Sequence, residues 1–160
     1  MLIGQKVNDA LNEQIGYEFS ASLQYVAITA YFEGEGLVEL ADLFHQQSDE
    51  ERDHAMRIVK YVIDAGGKLL IPAIPAPRAE FTDACDAIEL SLKSEQKVTQ
   101  QINSLVNLAI SEGDHITQNM LTWFVAEQLE EVSSMDTLLS VAKRASDNLL
   151  YVEEYVARHK

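Results

Sequence analysis

A single cysteine, Cys85, excludes a disulfide framework and any site built from four thiolates. Proline is almost as scarce. All three, Pro72, Pro75 and Pro77, fall in one short stretch, and only seven glycines interrupt the chain. With so few breakers and so many Ala, Leu, Glu and Gln, the sequence predicts long helices. Positive charge is also short: twelve Lys and Arg stand against 26 Asp and Glu, a formal net charge of -14. No basic surface is available to displace counterions, so no nucleic-acid partner is expected. The acidic excess serves solubility, or a surface or cavity that attracts cations. No apolar run approaches the length of a membrane span, and Met1–Lys6 carries no apolar leader core. The expected location is the cytoplasm, with no membrane partner.

What is present is helical periodicity. At 160 residues, 47% of them apolar, the chain suits one globular domain, residues 1–160. A first helix is expected over about 4–33, with an apolar seam through Val7, Leu11, Gln14, Glu18, Ala21, Tyr25, Ile28 and Phe32. Gly34-Glu35-Gly36 breaks it. A second, about 37–65, runs through Leu40, Phe44, Gln47, Glu51, His54, Ile58, Tyr61 and Ala65, and Gly66-Gly67 stops it. A third, about 83–112, runs through Ala84, Ile88, Ser91, Glu95, Val98, Ile102, Leu105 and Ala109. A fourth, about 115–143, follows a cap at Asp114 and runs through Thr117, Leu121, Phe124, Gln128, Glu131, Met135, Leu138 and Ala142. A short amphipathic helix, about 149–158, follows a break near Ser146-Asp147-Asn148.

Residues 67–82 hold the three prolines and cannot be helical. So long a connection needs a reason. Sixteen extended residues reach at most ~53 Å, and a helix over 37–65 is about 44 Å long. The segment is therefore long enough to travel the length of a bundle and set the third helix parallel to the second. The expected fold is all-α: a four-helix bundle with a long crossover between helices two and three and a short fifth C-terminal helix.

Each seam carries a polar interruption near its middle: Gln14 and Glu18; Gln47, Glu51 and His54; Glu95; Gln128 and Glu131. At ~1.5 Å per residue, Glu18, Glu51, Glu95 and Glu131 fall within about 5 Å of one height. Any one of them alone is as well explained by a residue misphased to the rim. Four together are not. No Lys or Arg occupies a seam, so four buried carboxylates would cost several kcal/mol each or stay protonated. Two divalent cations would neutralise them, with His54 adding a neutral nitrogen. Glu51-Arg52-Asp53-His54 puts a carboxylate and an imidazole on one side of one helix. Carboxylate with imidazole suits Fe, Mn or Zn, and the lack of thiolates argues against a softer metal. Tyr25, two turns from Glu18, is either a core tyrosine with its hydroxyl bonded or a hydrogen-bond partner or electron donor beside the metals. Trp123, next to a seam residue, reads as packing. Glu50, Glu127 and Glu130 flank the seams, either as solvated carboxylates or as holders of a further, looser cation.

These residues carry a resemblance. Leu11-Asn12-Glu13-Gln14 through Glu18 to Tyr25, Glu50-Glu51-x-x-His54, Glu95, and Ala126-Glu127-Gln128-Leu129-Glu130-Glu131 resemble the non-haem bacterial ferritins along essentially the whole chain. The resemblance implies a di-iron centre. Glu18, Glu51 and His54 would hold a first iron; Glu51 would bridge to a second held with Glu95 and Glu131. Gln128 would support the ligands, Glu50, Glu127 and Glu130 would serve a third iron, and Tyr25 would be the family's tyrosine beside the centre. It further implies a hollow homo-oligomer of roughly 24 subunits that oxidises Fe(II) with O2 or H2O2, as a ferroxidase, and stores the ferric mineral. Two departures matter. Where bacterioferritins carry a haem-ligand Met, Arg52 stands, so no haem is expected. Where they carry a second Glu-x-x-His, Gln128-x-x-Glu131 stands, which implies a looser second iron. Positions matched to the acidic threefold pore of animal ferritins are Gln118 and Leu121, which are uncharged. Two other readings remain on the residues alone. One is a rubrerythrin-like or other di-iron oxidase or peroxidase that forms no cage, against which stand the missing Cys pairs. The other is a structural bundle with inert Zn or no metal.

Overall fold

The computed structural model describes residues 1–160 and contains five helices: α1 (Gln5–Gly34), α2 (Val38–Asp64), α3 (Ala84–Ser111), α4 (His115–Ala145) and α5 (Leu149–Arg158). It is the all-α bundle that the periodicity predicts, with ends displaced from the expected ones by at most two residues, at the close of α4. Asp83 caps α3 by accepting the Asp86 N–H at 2.8 Å, and Asp114 caps α4 by accepting the Thr117 N–H at 2.9 Å.

Contacts at the helix ends establish the topology. The Leu2 N–H donates to the Ala65 carbonyl at 2.7 Å, Lys6 pairs with Glu112 at 2.9 Å, and the Tyr61 and Thr117 hydroxyls lie 2.7 Å apart. The start of α1 therefore meets the ends of α2 and α3 and the start of α4. Helices α2 and α3 run parallel, and the segment between them crosses the length of the bundle.

That segment runs along α1. Asn8 accepts the Lys68 N–H at 2.9 Å and donates to the Lys68 carbonyl at 3.1 Å. Asn12 donates to the same carbonyl at 2.9 Å and accepts the Leu70 N–H at 2.9 Å. One turn on, the Pro72 ring presses on Gly16 so closely that a Cβ there would lie 2.4 Å from Pro72 Cγ. Further along, Gln24 bonds both the N–H and the carbonyl of Arg78, and the Tyr31 and Phe81 rings sit 5.3 Å apart. Helix α1 thus buries two faces, and periodicity alone reveals only the one toward the core. Polar side chains at Asn8 and Asn12 satisfy a backbone that has no secondary structure of its own.

The apolar core is in two parts. One gathers Tyr25, Phe32, Phe44, Ile88 and Met135 with Val152 and Val156 of α5. The other gathers Val7, Leu11, Ile58, Ile102, Leu121 and Phe124 at the far end. Between them lies the polar layer of the seams. Leu121 is fully buried in the second part, as a core residue, and Gln118 is half-buried.

Helix α5 closes one end by capping α2. Leu37 offers α2 no side-chain cap, and Glu153 instead accepts the N–H groups of Glu39 at 3.1 Å and Leu40 at 2.8 Å. A carboxylate at a helix N-terminus is favoured by both the free N–H groups and the dipole. Glu153→Ala is expected to cost about 1–2 kcal/mol and to speed hydrogen exchange at the Glu39 and Leu40 amides. Unchanged stability and exchange would show that the cap does nothing.

Candidate metal centre

The middle layer brings one or two polar side chains from each of the four long helices into contact. Glu18, Glu51 and Glu95 are each 1% exposed, His54 4% and Glu131 5%. Potential ligand atoms from Glu18, Glu51 and His54 lie within 4.8 Å of one another, as do those of Glu51, Glu95 and Glu131, and those of His54, Glu127 and Glu131. Glu51 joins the first group to the second, as His54 joins the first to the third and Glu131 the second to the third. His54 Nδ1 lies 3.3 Å from Glu51 and 3.8 Å from Glu18, and its Nε2 lies 4.0 Å from Glu127.

Three oxygens in this layer, Glu18 Oε2 and both of Glu51, are buried without a hydrogen-bond partner. Such groups are rare because each costs its full desolvation energy. The other Glu18 oxygen and both of Glu95 are held. Gln14 donates to Glu18 Oε1 at 2.8 Å, leaving Oε2 free toward His54. The Tyr25 hydroxyl donates to Glu95 Oε1. Gln128 donates to Glu95 Oε2 at 3.2 Å and also reaches the Glu95 carbonyl and the Thr99 hydroxyl. Free oxygens on a carboxylate–imidazole set fit a divalent Fe, Mn or Zn ion.

The electrostatics agree. Burial pushes the Glu51 carboxyl well above its ordinary range, and the neighbouring Glu95 and Glu18 add to this. Burial, then Glu95 and Glu50, push Glu131 up to about 9. Glu18 is raised by burial, with the neighbouring Glu51 carboxyl and the Gln14 amide opposing. Tyr25 is raised well above its usual value by burial and then by the charge of Glu95. Without a cation, this layer holds protons.

The flanking acids separate. Glu127 is half-buried and joins His54 and Glu131. Glu50 is exposed as a residue, but its head turns in against Glu131 and is raised by burial there. Glu130 is exposed and lies in none of the three groups. Arg52 is exposed on α2.

The family model for the ferritin-like domain matches residues 8–145. The chain is similar to ferritin BfrB of Mycolicibacterium smegmatis, 43% identical over 153 residues that span 96% of this chain and 84% of the relative. This chain belongs to the ferritin family. It is also 35% identical to a bacterial non-heme ferritin of Staphylococcus saprophyticus, over 98% of this chain and 96% of the relative. Among solved structures, an open-pore ferritin of the archaeon Archaeoglobus fulgidus superposes with a TM-score of 0.94 at 31% identity, over 97% of this chain and 96% of that one. The protein is an iron-storage ferritin, and the carboxylate layer holds its candidate metal-binding groups.

Periodicity did not assign every residue that shapes this layer. Gln14 is visible as a polar residue in an apolar seam, one turn before Glu18, and that spacing is the signal for its bond. Thr99 lies off the α3 seam and gives no such signal. Trp123, read as packing, packs on His54 itself, with ring centroids 5.3 Å apart.

Raised carboxyls make the metal-free ferritin's stability depend on pH in a defined direction. The folded state keeps protons that the unfolded chain releases near 4.5, so this contribution is full below that pH and is lost as pH rises toward about 9, where Glu131 titrates. Denaturant unfolding between about pH 6 and 9 should show falling stability, by up to ~1.4 kcal/mol per pH unit for each such carboxyl. Zn(II) should reverse the fall and release protons on binding. A flat or rising profile would mean that the layer is already ionised without metal.

Proposed function

We propose that this ferritin is a ferroxidase. Fe(II) is its substrate, and the observation that carries the reading is Glu51, buried, with both oxygens unpartnered and shared between two ligand groups. Glu18, Glu51 and His54 bind one Fe(II); Glu51, Glu95 and Glu131 bind a second beside it. Two adjacent Fe(II) supply two electrons, which with two protons reduce O2 to H2O2, or H2O2 to two waters. The chain supports this through its own groups. Gln14 and Gln128 hold the outer carboxylates, the apolar core on either side limits water, and Glu51 and Glu131 give up protons as Fe(II) arrives. Tyr25, bonded to Glu95, holds that carboxylate and is placed to donate an electron.

Glu127, with Glu50 turned in beside Glu131, offers a looser third position on the way out, and the exposed Glu130 extends it. The Fe(III) then passes to a mineral stored inside a homo-oligomeric cage of roughly 24 copies, as the family resemblance implies. No haem is part of this reading, because the helix position that a haem-binding Met would need carries the exposed Arg52. No helix is long and apolar enough to cross a membrane, and the proposed location is the cytoplasm.

Aerobic addition of Fe(II) at increasing ratios, followed by absorbance, tests the assignment. Glu51→Ala should oxidise the first ~two Fe(II) per subunit at least about tenfold more slowly than wild type, while folding and assembly, checked by size exclusion, persist. If the variant matches the wild-type rate, the site is not this layer.

A further inference from the structure

A metal-binding histidine ordinarily has its second nitrogen fixed by a carboxylate or carbonyl, which sets the ring's orientation. His54 lacks that device. Its nitrogens face only carboxylates at 3.3 to 4.0 Å, and no backbone carbonyl or hydroxyl bonds either one. What holds the ring is aromatic. Trp123 meets it edge-on at 5.3 Å and 76°, and Phe124 at 6.0 Å and 77°. Phe124 is fixed by the core, at 1% exposure. Trp123 is half-buried, on the side where α2 and α4 face each other. Its ring is covered there by Arg57, whose guanidinium carbon lies 3.7 Å from the indole centroid. Arg57 stands one turn after His54 on α2, makes no ion pair within 4.0 Å, and so links α2 to α4 through the indole alone.

We propose that Arg57 is a positioning residue that acts through Trp123 to hold the His54 imidazole in its ligating orientation. The inference rests on His54 being a metal ligand. Its sign separates it from plain electrostatics. A cation beside a cation site repels, so deleting the charge alone would tighten metal binding. Deleting a clamp loosens it.

Trp123 is the only tryptophan, so its fluorescence in the metal-free protein reports on the clamp directly. Arg57→Met keeps length and loses charge; Arg57→Lys keeps a cation over the ring. In Arg57→Met, acrylamide should quench Trp123 more readily and Zn(II) should bind about fivefold more weakly, a smaller loss than the ~10- to 100-fold for a direct ligand partner. Arg57→Lys should recover most of both. Zn(II) binding in Arg57→Met that equals or exceeds wild type overturns the proposal, as does an Arg57→Lys variant no better than Arg57→Met. Glu51→Ala serves as the control. If wild type binds Zn(II) no more tightly than Glu51→Ala, the metal centre itself is misassigned and this inference falls with it. If Glu51→Ala loses Zn(II) and Arg57→Met does not, only the role of Arg57 falls.

Discussion

Four carboxylates share one buried layer with no Lys or Arg to oppose them. An ionised carboxylate taken out of water costs several kcal/mol after relaxation. Four would exceed the ~5–15 kcal/mol by which a domain is stable. The chain meets this constraint in two ways. It keeps protons on the layer when no metal is bound, Glu131 titrating only near 9. It also divides its apolar core, so that one hydrophobic block sits on each side of the layer.

Such a layer works only if four helices hold their axial register, because a slip of one residue moves a ligand by about 1.5 Å and turns it by about a quarter of a circle. The register between α1 and α2 is set one turn from the ligands. Ser22 donates to the Ser48 carbonyl at 2.7 Å and Ser48 donates to the Ser22 carbonyl at 3.0 Å, four residues after Glu18 and three before Glu51. The crossover segment holds α1 from its other face, through Asn8, Asn12 and the Gly16–Pro72 contact. Glu153 does the same for the start of α2. Polar groups away from the centre thus carry the precision that the centre needs.

How far the sequence could be read follows from this division. Every seam residue that the period picked out on α1, α3 and α4 is buried, because a single 3.6-residue repeat against one core is a strong signal. The carboxylates stood out for the same reason: each interrupts an apolar seam. The second face of α1 was invisible, since Asn8, Asn12 and Gly16 answer to an irregular segment that has no period. The contact of Trp123 with His54 depends on how α2 and α4 face each other, and no single-helix pattern encodes it. Glu130 illustrates the converse. It is acidic and adjacent to a ligand position, yet exposed, because neighbours on a helix point about 100° apart.

The two proposed metal positions are chemically unlike. The first combines two carboxylates with the neutral His54 nitrogen; the second is made of carboxylates alone, Glu51, Glu95 and Glu131. Gln128, where an acid would add charge, instead spends its amide on Glu95 and Thr99. A cation at the second position must displace the proton that Glu131 holds up to about 9, so its affinity falls as pH falls, in keeping with the looser second iron that the family resemblance implies. On the reading of Fe(II) as substrate, this asymmetry has a use. A position that binds its ion tightly retains it, whereas one that binds loosely lets the oxidised ion leave for the store. Glu127, reaching from the edge of the layer to both His54 and Glu131, is then the carboxylate placed to take that ion outward.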